Sequence, residues 1–524
     1  HHGAFMEIFV RAYADSDGDG IGDLRGLISR LDDLKDLGIR GIWLMPITAS
    51  GDHDHGYATT DFRAIEPAYG TLADFDELIR QAHARGIGVV MDYVINHASA
   101  EHPMFVAARA DPHAGGRPNP WRDWFVWADT AEPGWEIWGQ YPWYHRASQP
   151  WAFKGPLKSL PRPPAEARDF YFGTFGPHMP DFNFRNPKVV EYHFDSLRFW
   201  LNRGLDGYRL DAVPHLIENS AKDWNDQPES RRITAQVREL IQAYPNRYVV
   251  CEATAEPIDY GQPALCGGAF AFGYVQHFVG AALGKADSVR ELAAYYRSQL
   301  PTMATFVSSH DIFAGKRLWD QVGGDEVAYK LAAAGYLLQP GTPFIYYGEE
   351  VGQAGVNHLG GDMPLRAPMS WTPDAATGGF TTGRPFRPIA PNVATHNAQM
   401  QRQDPGSIRS FYKAMLALRN AHPSIARGRF EHSFADGLVL GFQRHWKNSA
   451  QDERTLVLIN YGKQAAEVAV PGLQPGMRLQ RLHASSLAPG AGAEAMPGRP
   501  EAPQGTLRLK LPAQSVQVWG LVPG

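Results

Sequence analysis

The sequence is poor in cysteine, in long apolar runs and in any excess of one charge. Two cysteines, Cys251 and Cys266, occur in 524 residues, which excludes a framework of several disulfides and leaves the cellular compartment open. Because no run of about 18 apolar residues is present, we expect no membrane-spanning helix. The formal net charge is −5 at neutral pH, which argues against nucleic acid or an anionic membrane as a partner.

Two further patterns are missing. Histidines and cysteines do not stand at the close spacing that a catalytic zinc site requires. The chain also lacks a signal-peptide pattern, since His1-His2-Gly3 leads directly into a strand-like run. A cytosolic protein and a mature periplasmic or secreted form both fit this start, and we prefer the mature form. A monomer and a homodimer are both compatible with the sequence.

Aromatic residues, by contrast, are abundant. The chain has 14 tryptophans, and flat aromatic faces suit sugar binding as well as the packing of a large core. Half of these tryptophans lie in residues 98–186, which are also rich in proline and glycine. In barrel folds, a long insertion after a strand lies on the face that carries the active site, and we expect the same of this segment.

The periodicity of the first part of the chain alternates between strand and helix. We predict buried strands at 6–13, 38–46 and 86–94, with helices at 24–37 and 71–84 between them. Near-continuous apolar strands that alternate with helices indicate a parallel sheet with both faces covered. Three such units at the start of the chain are typical of a (β/α)8 barrel, or TIM barrel.

The length predicts roughly three or four domains. The strand–helix alternation resumes near residue 187, and short alternating strands replace it near residue 429. We therefore predict a barrel at 1–97 and 187–428, an inserted tryptophan-rich domain at 98–186 and a C-terminal antiparallel β-sandwich at 429–524.

Charged residues lie at the ends of the predicted barrel strands. Arg209 and Asp211 stand two positions apart, so both side chains project from one face of their strand. Glu252 and Asp311 end two later strands and Asp92 lies near the end of the third, and barrel geometry directs all of these groups into one cleft. This suits glycoside hydrolysis, in which one acid attacks the anomeric carbon and another protonates the leaving oxygen. A structural Arg–Asp pair and an acid network that binds a metal are the alternatives.

A loop after the first strand carries oxygen ligands at every second position. The ligands in this acidic loop are Asp15, Asp17, Asp19, the backbone carbonyl of Ile21, and Asp23. Hard oxygen ligands at this spacing predict a calcium site. The loop is not an EF-hand, because Gly26 stands where a bidentate glutamate is required. A solvated acidic turn without an ion is the alternative.

Several stretches around these residues resemble the α-amylase superfamily of glycosidases, glycoside hydrolase family 13. The resemblance covers essentially the whole chain, and the matching stretches follow the family's order: Gly38–Pro46, Asp92–His97, Met179–Asn183, Gly204–Val213, Glu252, His310–Asp311 and Gly341–Glu350. The chain resembles both the intermediate α-amylases and the group of α-glucosidases, oligo-1,6-glucosidases and trehalose synthases.

The resemblance implies a catalytic role for each carboxylate. Asp211 is then the nucleophile, Glu252 the general acid/base, and Asp311 a transition-state stabiliser that grips sugar hydroxyls. Arg209 keeps Asp211 ionised. The sugar at subsite −1, whose anomeric carbon is attacked, is held by four side chains: Tyr57, Asp92, His97 and His310.

The resemblance also implies metal ions but no organic cofactor. Asn96 is expected to help bind a structural calcium at the inserted domain. The acidic loop resembles the second calcium or magnesium site of the oligosaccharide-acting branch of the family. Two departures from the family pattern stand out: Ser309 replaces the usual asparagine before His310, and the arginine that normally follows the third aspartate closely is displaced, with Arg317 as its candidate replacement.

Two features of this resemblance bear on the substrate. Arg366 resembles an arginine that, in the α-glucosidase group, pairs with an aspartate at the position of Asp54 and closes the cleft behind the −1 sugar. If the two are only rim charges, this argument fails. Ala212 and His215, after the nucleophile, resemble residues of enzymes that act on α-1,4 linkages.

We therefore predict a retaining α-glycosidase that hydrolyses α-1,4 bonds in malto-oligosaccharides through a covalent glucosyl-enzyme on Asp211. A transglycosylase or isomerase on the same scaffold, such as a trehalose synthase, is the first alternative, because partitioning depends on water exclusion rather than on motifs. A non-catalytic sugar-binding homologue is the second, and retention of Asp211, Glu252 and Asp311 argues against it.

Overall fold

The structure, a computed structural model, describes residues 3–110, 112, 116–490 and 507–523. Up to residue 97, strands and helices follow one another as β1 (Phe5–Ile8), α1 (Val10–Tyr13), α2 (Leu24–Ser29), α3 (Leu31–Leu37), β2 (Gly41–Leu44), β3 (Thr48–Ser50), β4 (Thr59–Ile65), α4 (Leu72–Ala84) and β5 (Gly88–Tyr93). Residues 98–186 contain α5 (Pro103–Ala108), β6 (Trp127–Thr130), β7 (Trp143–His145) and β8 (Arg168–Phe172).

The alternation then resumes and ends in a run of strands. Residues 187–428 contain α6 (Pro187–Asn202), β9 (Gly207–Leu210), α7 (Pro228–Gln242), β10 (Tyr248–Cys251), α8 (Pro257–Tyr260), α9 (Gln276–Ala282), α10 (Ala286–Ser298), β11 (Ala304–Thr305), α11 (Leu318–Gln321), α12 (Glu326–Leu337), β12 (Thr342–Tyr346), α13 (Ala398–Arg402), α14 (Ile408–Ala421) and α15 (Pro423–Arg427). The C-terminal strands are β13 (Arg429–Asp436), β14 (Val439–Lys447), β15 (Asp452–Asn460), β16 (Ala466–Val470), β17 (Met477–Ser486), β18 (Leu507–Leu511) and β19 (Ser515–Pro523).

The strands that alternate with helices form one seven-stranded sheet in the order β10-β9-β5-β2-β1-β12-β11. Its strands are short, almost entirely buried and apolar, as expected for parallel strands covered on both faces. This confirms the predicted barrel class with an insertion after the third barrel strand and an antiparallel C-terminal region. No helix in the described part of the chain is long and apolar enough to cross a membrane.

The chain divides into two compact units. Unit 1 consists of His1–Ile42, Ala84–Ile87 and Ala271–Gly524, and unit 2 of Trp43–His83 and Gly88–Phe270. In unit 1 the C-terminal strands form a five-stranded sheet, β13-β14-β15-β19-β17, and a pair, β16-β18, which share one apolar core that includes Leu456 and Trp519. In unit 2 the insertion forms a small sheet, β6-β8-β7, around a separate aromatic core.

Helix starts follow the local sequence. In unit 2, α4 begins after Thr71, whose hydroxyl accepts from the Asp74 N–H while the Asp74 carboxylate accepts from Thr71 N–H, a reciprocal cap. Helix α6 begins with Pro187 at its first position, and the Asn186 side chain accepts from the N–H of Lys188. These caps fix where the helices between the site-bearing strands begin.

The first predicted strand is shorter than its apolar pattern. The strand ends at Ile8, and Val10–Tyr13 forms a single helical turn instead. The acidic loop packs back onto this turn, since Gly22 N–H donates to the Arg11 carbonyl and Asp23 N–H to the Ala14 carbonyl. Tertiary hydrogen bonds have therefore overridden the strand propensity of this stretch.

Candidate active site

Three neighbouring strands of unit 2 bring the predicted catalytic groups together. Asp92 lies on β5 directly opposite Arg209 on β9, and Arg209 in turn lies opposite Val250 on β10. Asp211 and Glu252 immediately follow β9 and β10, and their N–H groups donate to Tyr93 and Leu210 on the preceding strand. Strand register alone therefore places the three carboxylates around one guanidinium.

Arg209 is the centre of this group and is almost fully buried. Its Nη1 lies 2.9 Å from Asp92 Oδ1 and 2.5 Å from Asp211 Oδ1, and its Nη2 lies 2.9 Å from Glu252 Oε2. Glu252 also accepts from the N–H of Ala212 at 3.2 Å. We call Asp92, Arg209, Asp211 and Glu252 the carboxylate cluster.

The carboxyl groups of the cluster affect one another because they are buried together. Burial raises the pKa of Asp211 well above its ordinary value, with the Glu252 and Asp92 charges adding to the effect and Arg209 opposing it. Burial also acts on Glu252, but Arg209 and hydrogen bonds from Asp211 and Ala212 bring its pKa below the ordinary value. Arg209 favours the ionised form of Asp211 and of Glu252 alike, and the expectation that it keeps Asp211 ionised stays a prediction.

Two aromatic side chains hold the third carboxylate. Tyr57 donates its hydroxyl to Asp92 Oδ2 at 2.7 Å, and Trp43 Nε1 donates to the same oxygen at 3.3 Å. Burial raises the pKa of Asp92 to about 6. His97 Nε2 lies 3.0 Å from the Tyr57 carbonyl oxygen, and burial lowers the pKa of His97 to about 4, so its ring is neutral at pH 7. Tyr57 and His97 thus contact each other, and their binding of one sugar stays a prediction.

The chain turns sharply after Asp211. Ala212 adopts a left-handed conformation with φ +50°, a strained backbone for a non-glycine residue and one often found at functional sites. His215 follows in a short turn, and its N–H donates to the Ala212 carbonyl at 3.0 Å. The ring of His215 is buried, which lowers its pKa to about 4.

A second group of predicted site residues lies in unit 1. His310 is buried and pairs through Nδ1 with Glu7 and through Nε2 with Asp311 Oδ2, the latter at 3.1 Å. Arg366 contacts Asp311 Oδ1 and Asp362 Oδ2, each at 3.3 Å, and donates to the His310 carbonyl. The structure therefore joins His310, Asp311 and Arg366 in one network.

The two departures from the family pattern have distinct outcomes. The Ser309 hydroxyl accepts from Asp311 N–H at 3.3 Å. Arg317 donates to the backbone carbonyls of Tyr347 and Leu365, whereas Arg366 is the arginine that reaches Asp311. Arg317 therefore binds backbone carbonyls and does not replace the family's arginine. The cation beside Asp311 is Arg366, which comes later in the chain.

Asp54 lies in a loop of unit 2 that Asp52 organises. Asp52 accepts from the N–H groups of Asp54 and Gly56, and the Asp54 carbonyl accepts from the Tyr69 hydroxyl. The pairing of Asp54 with Arg366 remains a prediction.

The acidic loop gathers part of its predicted ligand set. Asp15, Asp17 and Asp19 each offer a carboxylate oxygen, and these atoms all lie within 4.8 Å of one another. Asp23 is not in this close group, and its two oxygens accept from Ser16 N–H and from Gly26 N–H, the latter as the N-cap of α2. Three close carboxylates are the kind of donor set that fits a hard divalent cation.

Asn96 is buried beside Asp181, and its side chain donates to that carboxylate. The Asn96 Oδ1 atom is buried and has no hydrogen-bond partner among the described residues. A buried oxygen without a partner costs free energy unless a ligand or a water satisfies it. The position therefore fits the calcium ligand that the sequence predicts.

Three structural partners escaped the sequence reasoning. Glu7 pairs with His310 from inside β1, and Trp43 contacts Asp92 from β2. A charged residue inside an apolar strand was a usable signal for Glu7, whereas nothing distinguished Trp43. Cys251 and Cys266 form a disulfide, so the segment directly after Glu252 is tied back to β10.

Comparisons with known proteins identify the family. The family model described as the α-amylase catalytic domain matches residues 7–428. A trehalose synthase/amylase, TreS, from Mycobacterium tuberculosis (strain CDC 1551 / Oshkosh) is 34% identical over 508 residues, which cover 88% of this chain and 81% of that protein. An oligo-1,6-glucosidase from Parageobacillus thermoglucosidasius is 28% identical, with 89% and 91% covered.

A solved structure supports the fold. The trehalose-6-phosphate hydrolase of Bacillus licheniformis superposes with a TM-score of 0.79 at 24% identity, covering 99% of both chains. The chain belongs to the α-amylase family, glycoside hydrolase family 13. It is accordingly an enzyme that hydrolyses glycosidic bonds or transfers glycosyl groups.

Proposed function

We propose that the protein is a retaining α-glucosidase-type enzyme that cleaves α-1,4 bonds in short malto-oligosaccharides through a glucosyl-enzyme on Asp211. The observation that carries this proposal is the buried Arg209 shared by Asp92, Asp211 and Glu252. A group with one cation and three carboxylates can supply both a nucleophile and a proton donor, because the carboxyls compete for the same proton.

The reaction needs the proton on Glu252 and a charge on Asp211. The two carboxyls are hydrogen-bonded to each other, so the pair can share one proton, and the reactive state has that proton on Glu252. Glu252 then protonates the leaving oxygen while Asp211 attacks the anomeric carbon. In the second step, ionised Glu252 takes a proton from water, the new C–O bond forms and the bond to Asp211 breaks.

The remaining site residues take supporting roles in this proposal. Tyr57, Asp92 and His97 bind the −1 sugar, and Asp311 with His310 grips its hydroxyls in the transition state. The contact with Arg366 orients Asp311, and the contact with Glu7 orients His310. His215, and a pairing of Asp54 with Arg366, are proposed to favour α-1,4 bonds and chain ends.

A second candidate is isomerisation of maltose to another glucose disaccharide. The similarity to proteins named trehalose synthase supports it. In this case the departing glucose would stay bound and attack the glucosyl-enzyme through a different hydroxyl. Hydrolysis and isomerisation share the first half of the reaction and differ only in what accepts the glucosyl group.

We also propose a structural divalent cation, calcium or magnesium, on Asp15, Asp17 and Asp19, with the Ile21 carbonyl as a further ligand. The supporting observation is the close approach of the three carboxylates. A calcium ligated by Asn96 is proposed from its unpartnered Oδ1. Neither ion takes part in the reaction.

A product profile across six sugars tests the proposal: maltose, maltotriose, isomaltose, trehalose, sucrose and starch. We expect maltotriose to be cleaved faster than starch and the first product to keep the α configuration. Glucose from maltose indicates hydrolysis, and trehalose from maltose indicates isomerisation. Faster release from starch than from maltotriose would contradict the short-substrate assignment, and a β-configured first product would contradict the double displacement.

A further inference from the structure

An unusual tryptophan stands at the tip of a tight turn in unit 2. Ile137 and Gln140 exchange backbone hydrogen bonds of 2.8 and 2.9 Å across two central residues, Trp138 and Gly139. Both central residues have positive φ, +48° for Trp138 and +79° for Gly139. Hairpin turns of this kind favour asparagine or aspartate at the first position and glycine at the second, because a bulky residue is strained there.

The side chain of Trp138 is exposed rather than part of the core. It is 61% exposed, more than the other exposed tryptophan of the insertion, Trp121, at 37%. Despite this exposure, the indole has three aromatic neighbours, with ring-centre distances of 5.6 Å to Phe175, 5.3 Å to His215 and 5.4 Å to Trp224. We call Trp138, Phe175, His215 and Trp224 the aromatic platform.

Packing of Trp224 holds the platform in place and leaves the Trp138 indole accessible. Trp224 stacks on His215 with an interplanar angle of 10° and also packs against the core of the inserted segment. Both rings meet Trp138 nearly perpendicularly, at 87° and 83°. Edge contacts of this kind fix an indole while leaving much of its surface to solvent.

The platform is continuous with the carboxylate cluster and the −1 residues. His215 hydrogen-bonds to the Ala212 carbonyl, and the Ala212 N–H donates to Glu252. On the other side, the ring of Phe175 lies 5.2 Å from that of His97. His215 is buried, yet its Nδ1 has no hydrogen-bond partner within the described part of the chain, which points to a ligand with a hydroxyl.

We propose that the aromatic platform binds the sugar ring on the leaving-group side of the scissile bond and holds it against Trp138. This inference rests on the proposed function, since Glu252 must protonate the oxygen of the departing sugar and the Ala212 backbone links His215 to Glu252. A pyranose ring presents an apolar C–H face that an indole can cover, and its hydroxyls can satisfy a histidine nitrogen. The strained turn is therefore used to present Trp138 to a sugar.

A retained sugar gives the platform control over the second half of the reaction. When its hydroxyl attacks, the bond from the anomeric carbon to that oxygen forms and the bond to Asp211 breaks. The hydroxyl proton passes to Glu252, and Asp211 recovers its charge. When the sugar leaves first, water takes its place, and the outcome is hydrolysis.

The test compares two donors that differ only in the leaving group. Maltose places glucose on the platform, whereas α-glucosyl fluoride releases fluoride and leaves the platform empty. We expect Trp138→Ala to lower kcat/KM for maltose relative to kcat/KM for α-glucosyl fluoride by ~10-fold, the size of one aromatic contact. Trp138→Phe should recover part of the ratio, and Trp121→Ala is the matched control that should keep it.

Transfer gives a second readout. With α-glucosyl fluoride as donor and added glucose as acceptor, we expect Trp138→Ala to lower the fraction of disaccharide among the products. Equal donor ratios in Trp138→Ala, Trp121→Ala and the wild type would overturn the inference while leaving the proposed function intact. A wild-type enzyme inactive on both donors would instead overturn the proposed function. Equal losses on both donors in Trp138→Ala would show a merely structural role and would also overturn the inference.

Discussion

Arg209 sets the charge of the active site at the scale of single residues. It is the cation that contacts Asp92, Asp211 and Glu252, and all four side chains are buried. Three buried carboxylates with one such partner cannot all stay ionised at neutral pH, so one of them keeps a proton. Asp211 and Glu252 are hydrogen-bonded to each other, so this pair can share that proton.

Removing either member of the catalytic pair should stop maltose turnover. Asp211→Asn loses the nucleophile and Glu252→Gln loses the proton donor, so we expect a fall of ~10³-fold or more in each case. Initial rates on maltose and thermal unfolding curves measure this. Fluoride needs less help from an acid than a sugar does, so Glu252→Gln should retain more activity on α-glucosyl fluoride than Asp211→Asn.

The outcome for the two variants separates their roles. Near wild-type maltose turnover in Asp211→Asn, with an unchanged melting temperature, would exclude Asp211 as the nucleophile. Equal losses of Glu252→Gln on both donors would exclude Glu252 as the proton donor for the leaving group.

At the scale of elements, the buried segment after β12 carries a carboxyl group, that of Glu349, whose ionised form is disfavoured by burial. Glu349 follows β12 and accepts hydrogen bonds of 2.5 Å from the Tyr336 and Tyr412 hydroxyls and one of 3.2 Å from Ser308. Burial raises its pKa to about 7 from an ordinary value of 4.5. A carboxyl with a raised pKa in the folded state contributes stability that is present below 4.5 and is lost as the pH rises through about 7.

Glu349→Gln should therefore stabilise the protein more at high pH than at low pH. The amide is neutral at every pH and keeps one oxygen as an acceptor. We expect the melting temperature of the variant minus that of the wild type to be larger at pH 8 than at pH 5 by ~2 °C or more. Asp436→Asn, at an exposed strand end, is the control, and a pH-independent difference for Glu349→Gln would contradict the expectation.

Strands and helices were predictable from the sequence where the spacing of apolar residues and the charged residues at strand ends indicate the same element. Asp92 and Arg209 were placed correctly on their strands and Glu252 at the end of its strand, because residues at i and i+2 share a face and parallel strands align their ends. The helical turn Val10–Tyr13 was not predictable, because hydrogen bonds from the distant acidic loop set it.

The charge distribution was predicted in part. Periodicity places Arg209 beside Asp211, but only the structure shows that the same guanidinium also contacts Glu252. Likewise, contacts across a long stretch of sequence, such as Glu7 with His310 and Trp138 with Trp224, leave no periodic signal. The sequence therefore predicts which charged side chains lie at each strand end. The protonation states of Asp211 and Glu252 depend on three-dimensional contacts that the sequence does not reveal.

At the scale of the whole molecule, a bound cation should raise the stability of the folded chain. A ligand that binds only the folded state at 100 times its dissociation constant contributes about 2.7 kcal/mol. We expect chelation with EDTA to lower the melting temperature by about 2–3 °C and added calcium or magnesium to restore it.

A double variant locates this effect. Asp17→Asn with Asp19→Asn should start with a lower melting temperature and should no longer respond to EDTA to the same extent. Asp129→Asn with Glu136→Gln removes two exposed acids elsewhere in the chain and should respond like the wild type. Full EDTA sensitivity in the Asp17/Asp19 variant would exclude the acidic loop as the cation site.

The disulfide between Cys251 and Cys266 bears on the strand end that carries Glu252. It closes a loop with a sequence separation of 15 residues, and closing a loop of that size removes conformational entropy from the unfolded chain worth about 3 kcal/mol. This contribution stabilises the folded chain as a whole. Because Cys251 directly precedes Glu252, the same bond keeps the end of β10 linked to Cys266 whenever the loop between them opens.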